Sequence, residues 1–221
     1  MGAILARGDC STLKCLMPHL SMLRSYTWAD LLTIGNAACG TVAIFLCLEA
    51  LAVQNPACLW YAMALLPIAL ALDVADGYVA RLDRRRQSRL GADLDSLADV
   101  ISFGVAPAVL GYTLGLRGGW DILVLTYFVA CGVSRLARFN VTASALADAT
   151  TGKVKYFEGT PIPTSVLIVA MLAVALRLGH TGEHLWLGVV RLGPASFHPL
   201  VLVYAASGSA MISATLRIPK P

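Results

Sequence analysis

The sequence predicts an all-α membrane protein, with six transmembrane helices preceded by an N-terminal interfacial helix. Three observations predict it. Of the 221 residues, 57% are hydrophobic and only 14% are charged, whereas soluble domains carry about 25% charged residues. The mean hydropathy is +0.72. Six apolar runs, each close to the roughly 20 residues that cross a hydrocarbon core of about 30 Å, follow one another along the chain.

The elements can be justified in order. Residues 1–29 contain Arg7, Asp9, Lys14 and Arg24 and no apolar stretch long enough for a cleaved signal. Pro18 to Trp28 reads as an interfacial helix with Trp28 at headgroup level, and the first fifteen residues read equally well as a tail. Residues 30–221 form one domain. Its spans are expected at 30–53, 57–81, 94–115, 120–140, 161–179 and 197–215. Between them lie Gln54-Asn55-Pro56, the charged stretch from Arg81 to Arg89, Leu116-Arg117-Gly118-Gly119, the polar stretch 142–160, and Gly193-Pro194.

An even number of spans puts both termini on one side. If that side also holds the 82–93 and 141–160 loops, only Arg117, Arg177 and Arg191 of the 17 Lys and Arg residues fall opposite, leaving 14 with the termini. The positive-inside rule makes that side cytoplasmic. The six cysteines, Cys10, Cys15, Cys39, Cys47, Cys58 and Cys131, form no CxxC pair. They read as small apolar residues rather than zinc ligands. Nothing in the charge pattern suggests nucleic-acid binding.

The chemistry is concentrated at the junction of the second and third spans. Asp73 and Asp76 lie three residues apart, and Asp95 and Asp99 lie four apart, so each pair shares one helical face. A short basic loop makes the two helices antiparallel neighbours, and the four carboxylates converge near the cytoplasmic surface. An acid inside a span costs about 2.5–3.5 kcal/mol, so four need partners. Mg²⁺ or Mn²⁺ suits converged carboxylate and phosphate oxygens. Asp83 is explained by pairing with Arg84, Arg85, Arg86 or Arg89, and Asp93 by a helix N-cap. Gly77, Ala80 and Gly91 would let a ligand approach the backbone closely. Arg81 is placed to grip a diphosphate in bidentate fashion.

Asp73-x-x-Asp76-Gly77-x-x-Ala80-Arg81, nine residues, then Gly91-x-x-x-Asp95-x-x-x-Asp99 resembles the defining pattern of the CDP-alcohol phosphatidyltransferase family at all eight positions. The resemblance implies a six-helix fold, usually homodimeric, with two Mg²⁺ or Mn²⁺ ions in a site open to the cytoplasm. It implies that Asp73, Asp76 and Asp95 are the principal metal ligands and that Asp99 touches the second metal and acts as general base. Gly77, Ala80 and Gly91 would line the cytidine site, with Arg81 at the diphosphate. Thr33 and Asn36 stand where relatives contact the nucleotide, although an Asn in a span is also a common interhelical hydrogen-bond partner.

Within the family, Leu94 to Pro107 is similar to members that use serine, and Ser96 stands where members making phosphatidylglycerol phosphate more often have Pro. Ser134 to Asn140, Lys155 to Pro163 and the tail around Phe197-His198-Pro199-Leu200 agree, the last with the fungal type. This implies CDP-diacylglycerol and L-serine as substrates and the endoplasmic reticulum as location. A serine carboxylate needs a cation away from the metals. Arg135, Arg138 and Lys155 are the candidates, with Phe139 packing over the site; Arg138 also reads as a snorkelling surface anchor. Two other readings stand beside this one: the same transfer to inositol, inositol phosphate or glycerol phosphate, and a divalent-cation transporter built on the same aspartates.

Overall fold

The first helix begins where the sequence supplies a cap. The Thr27 backbone N–H donates to Asp30 Oδ2 at 2.7 Å, and the Asp30 backbone N–H donates to Thr27 Oγ1 at 3.3 Å. This reciprocal pair satisfies two N–H groups that the first turn would otherwise leave open. The computed structural model describes residues 27–82, 89–147, 156–182, 185–192, 195–213 and 217–219. The interfacial helix expected before Trp28, Asp83 with its arginine neighbours, and Lys155 therefore lie outside the described residues.

Helix α1 (Trp28–Val53) ends at Gln54, whose φ of 54° is left-handed. Asn55 Oδ1 then accepts the Ala57 N–H at 3.0 Å and turns the chain into α2 (Pro56–Leu82). The two helices pack along their length as an antiparallel pair. After the loop come α3 (Arg89–Asp99), a π-helical segment (Val100–Val105) and α4 (Ala106–Leu114), which together make one continuous rod. Helix α5 (Gly119–Ala147) follows, and then α6 (Ser165–Arg177) and α7 (Leu202–Ile212), each entered through a short 3₁₀ turn.

Among the described residues, four helices are long and apolar enough to cross a membrane: Trp28–Val53, Pro56–Arg81, Gly91–Leu114 and Gly119–Val141. The third is central, with 67% of its most apolar stretch buried against 28% in each of the other three. The other three turn large apolar side chains such as Phe45, Trp60, Tyr61 and Leu123 outward, as lipid-facing helices must. The last two apolar segments, Ile162–Arg177 and Pro199–Ile212, are shorter than the spans read from the sequence.

Two expectations need correction. The third span's helix starts at Arg89, so Asp93 is an exposed residue one turn inside it and not its N-cap. The chain is not purely helical. β1 (Tyr156–Glu158) pairs antiparallel with β4 (Arg217–Pro219), and β2 (Val190–Leu192) with β3 (Ala195–Phe197). Three-residue strands carry too little alternation to be seen in a sequence.

The π segment has an identifiable cause. Pro107 has no N–H and its ring crowds the carbonyl four residues back, so α-helical bonding fails just before it. The Ala106 N–H instead reaches Ile101 O, five residues back, a register that often marks a functional region. It buries Ser102, Phe103 and Gly104. Ser102 Oγ donates to Asn36 O at 2.8 Å. The contact is possible because residue 40 is glycine: a Cβ there would lie 2.7 Å from Ser102 Cα and closer still to its hydroxyl. At the other side of the rod, Tyr204 Oη donates to Pro107 O at 2.7 Å and stacks edge-on against Phe128 with centroids 5.2 Å apart.

Gly40→Ala is expected to push α1 off the central rod at a cost of about 1–3 kcal/mol, read as a lower thermal midpoint of the purified chain in detergent. Ser102→Ala removes only one hydrogen bond, at about 1 kcal/mol, and is expected to shift the midpoint less.

Candidate metal and substrate site

The end of α2 and the start of α3 meet beside the first turns of α1, and the acids gather there. Asp73, Asp95 and Asp99 each present a carboxylate oxygen, and the three oxygens lie within 4.8 Å of one another. Asp76 stands next to the trio, buried, and within electrostatic range of Asp95 and Asp99. The four acids expected to converge are thus together, with three forming the tightest group.

Helix α1 supplies the protons that hold them. Thr33 Oγ1 donates to Asp76 Oδ2 at 2.7 Å, with Ala29 O at 3.1 Å as a second acceptor. Asn36 Nδ2 donates to Asp99 Oδ1 at 3.3 Å. Both side chains are buried, at 4% and 0% exposure, so the two residues expected at the nucleotide lie against the carboxylates. Ser102, which the sequence reading missed, then fixes the Asn36 backbone from the far side.

These residues fit a divalent cation on two grounds. Two ionised carboxylates about 4.8 Å apart repel by about 3 kcal/mol at an effective dielectric near 20, so the trio carries its full charge only with a cation among it. Asp95 Oδ1 is also buried with no hydrogen-bond partner among the described residues, although a buried acceptor is normally satisfied. A hard cation bound by oxygens answers both conditions.

Gly77 has nothing within 4 Å of the place its Cβ would occupy, so the α2 backbone is open to a ligand there. Ala80 and Gly91 are half-buried nearby on α2 and α3, and Arg81 is exposed at the rim. Of the acceptor candidates, the structure brings Arg135 to the acids. It is half-buried on α5, within electrostatic range of Asp99, and its Nε is buried with no partner among the described residues. Arg138 and Phe139, a turn further on, lie on the exposed flank of α5.

A second link was not foreseen. Asn140 Nδ2 donates to Ser96 Oγ at 3.0 Å, and Ser96 Oγ lies 3.1 Å from Asn140 Oδ1. This clasp ties the end of α5 to the residue after Asp95. A polar residue at 96 facing the Arg135–Asn140 segment was the only hint in the sequence.

With that geometry in view, a family model described as CDP-alcohol phosphatidyltransferase matches residues 26–195. The CDP-diacylglycerol–serine O-phosphatidyltransferase of Saccharomyces cerevisiae is 42% identical over 205 residues, covering 92% of this chain and 74% of the relative. An archaetidylserine synthase of Methanothermobacter thermautotrophicus is 39% identical over 143 residues, 64% of this chain and 55% of that protein. A CDP-diacylglycerol–serine O-phosphatidyltransferase of Mycobacterium tuberculosis is 41% identical over 125 residues, 53% of this chain and 41% of its own length.

Asp95→Asn is expected to weaken Mn²⁺ binding to the purified chain at least tenfold, and Thr33→Val by about tenfold through Asp76, in line with the 10- to 100-fold effect of groups that orient ligands. Titration of Mn²⁺ followed by electron paramagnetic resonance checks both.

Proposed function

Because the chain belongs to the CDP-alcohol phosphatidyltransferase family, we propose that it transfers the phosphatidyl group of CDP-diacylglycerol to L-serine, giving phosphatidylserine and CMP. The observation that carries this reading is Arg135 on the acid side of the bundle: a half-buried guanidinium with an unpartnered Nε among the described residues lies within electrostatic range of the carboxylate that would deprotonate the acceptor. An acceptor with a hydroxyl and a carboxylate fits that pair, the hydroxyl toward Asp99 and the carboxylate toward Arg135. The likeness to the yeast enzyme over 92% of the chain supports the same acceptor.

Asp73, Asp76, Asp95 and Asp99 would hold two Mg²⁺ or Mn²⁺ ions. When bound, such ions neutralise a diphosphate and make its phosphorus more electrophilic. The chain's own residues do the rest. Thr33 orients Asp76, and Asn36 orients Asp99. Gly77, Ala80 and Gly91 form the cytidine wall, and Arg81 grips the diphosphate. Asp99 takes the proton of the serine hydroxyl as its oxygen bonds to the lipid-side phosphorus. The bond from that phosphorus to the oxygen bridging to CMP breaks, and CMP leaves with that oxygen. Arg138, Phe139 and Lys155 are the further candidates for the acceptor side.

The reading also orders the chain in the membrane. The two shorter helices, about 24 and 21 Å long at about 1.5 Å per residue, complete six crossings, preceded by an interfacial helix. The endoplasmic reticulum is the location that the resemblance to the fungal type implies. The aspartates and both termini face the cytoplasm, and the lipid-facing surface also carries the homodimer contact.

The test is CMP release by purified chain with CDP-diacylglycerol, Mn²⁺ or Mg²⁺, and a panel of acceptors. L-serine is expected to drive release; release with inositol, inositol phosphate or glycerol phosphate but not serine would move the acceptor, and metal uptake without CMP would favour transport. Asp99→Asn is expected to lower kcat by about 10²- to 10⁴-fold while CDP-diacylglycerol still binds. Arg135→Gln is expected to raise the KM for serine by about tenfold or more, from loss of one charge-assisted contact, and to leave the KM for CDP-diacylglycerol unchanged.

A further inference from the structure

A well-formed cavity lies away from the aspartates. A space of about 880 Å³ opens at the opposite end of the bundle, where α1 ends, α2 begins, α4 ends and α5 begins. The length of α1, about 39 Å at about 1.5 Å per residue, separates the two ends. Its size falls within the range of small-molecule sites. Arg117, Arg191 and His198 line it together with Gln54, Thr113 and Ser196, and no Asp or Glu lines it among the described residues. The cavity is therefore cationic and rich in hydrogen-bonding groups.

Arg117 and His198 are held in place. Arg117 Nε donates to Tyr112 O at 3.2 Å and Nη2 to Thr113 O at 3.1 Å. This closes the end of α4 and leaves Nη1 uncommitted among the described residues. His198 Nδ1 lies 2.5 Å from Oδ2 of the wholly buried Asp121. Asp121 Oδ1 also accepts the His198 N–H at 2.9 Å, and Oδ2 the Gly118 N–H at 2.8 Å. Asp121 thus sits behind the imidazole, fully used, and fixes the ring that borders the cavity. Arg191 reaches the space from β2, whose pairing with β3 forms one wall. A held Arg117 beside Arg191, with no acid lining the space among the described residues, is an arrangement that binds phosphate oxygens.

We propose that this cavity binds a phosphate-bearing anion, the headgroup of a phospholipid in the leaflet opposite the aspartates or free phosphate, through Arg117, Arg191 and His198. The site is separate from the transfer chemistry and does not depend on which alcohol is the acceptor. Calorimetry on the full chain in detergent tests it, with saturating CDP and Mg²⁺ present so that the aspartate end is blocked. Inorganic phosphate and dihexanoyl phosphatidic acid are the probes. Saturable binding is expected to persist under CDP and to weaken by about tenfold in Arg191→Gln, an exposed residue whose loss leaves the fold intact. Arg117→Gln, checked for an unchanged thermal midpoint, is expected to do the same. Phosphatidic acid binding at least tenfold more tightly than phosphate identifies a lipid headgroup, and equal binding identifies the free anion. Absence of binding by both probes under CDP, or binding that neither substitution alters, overturns the proposal.

Discussion

Three carboxylates with oxygens inside 4.8 Å, at the end of a bundle whose outer faces are apolar, repel one another strongly. Much of the surrounding architecture manages that repulsion. Helix α1 runs past the acids and offers Thr33 and Asn36 as donors, one to Asp76 and one to Asp99. Asn36 reaches Asp99 because α1 sits close against the central rod, which Gly40 and Ser102 permit, and Thr33 reaches Asp76 across the α1–α2 pair. The rod in turn shifts register just after Asp99, where Pro107 forbids the ordinary helical bond. The arrangement still leaves Asp95 Oδ1 without a partner among the described residues. A divalent cation accounts for that remaining oxygen.

Part of this was legible in the sequence and part was not, for physical reasons. Helical spacing is enough to place Asp73 with Asp76, and Asp95 with Asp99, on shared faces, and a short loop is enough to bring the two faces together. Four long spans follow from length and hydropathy alone. What spacing cannot supply is the depth at which one helix sits against another. The resemblance put Thr33 and Asn36 at a nucleotide; both donate to carboxylates, Asn36 as the interhelical hydrogen-bond partner that was its other reading. Arg135 and Arg138, three residues apart, were expected to face the bundle together. Their side chains diverge by about 60° around the helix, and that is enough to leave Arg138 outside. Asp93 looked like a cap because the apolar pattern starts after it, yet helix α3 begins at Arg89. The clasp between Ser96 and Asn140 depends on contact between residues 44 apart in the chain, which no local pattern encodes.

The two ends of the bundle are electrostatic opposites. One gathers acids, with Arg135 at their edge; the other gathers Arg117, Arg191 and His198 around an open space, with Asp121 spent on capping and on the imidazole. A chain with 14% charged residues has placed many of those inside its membrane-spanning part at these two ends. Charges in such a setting are retained where they bind something, and each end has the donor or acceptor chemistry for a different partner.

The central claim is that the acids at the α2–α3 junction are a divalent-metal site. Diffraction from crystals of the chain grown with CDP-diacylglycerol and Mn²⁺, collected at the manganese absorption edge, tests it directly. An anomalous peak bounded by the carboxylates of Asp73, Asp95 and Asp99 is the predicted result. No peak there, with CDP-diacylglycerol bound in the site, would contradict the account.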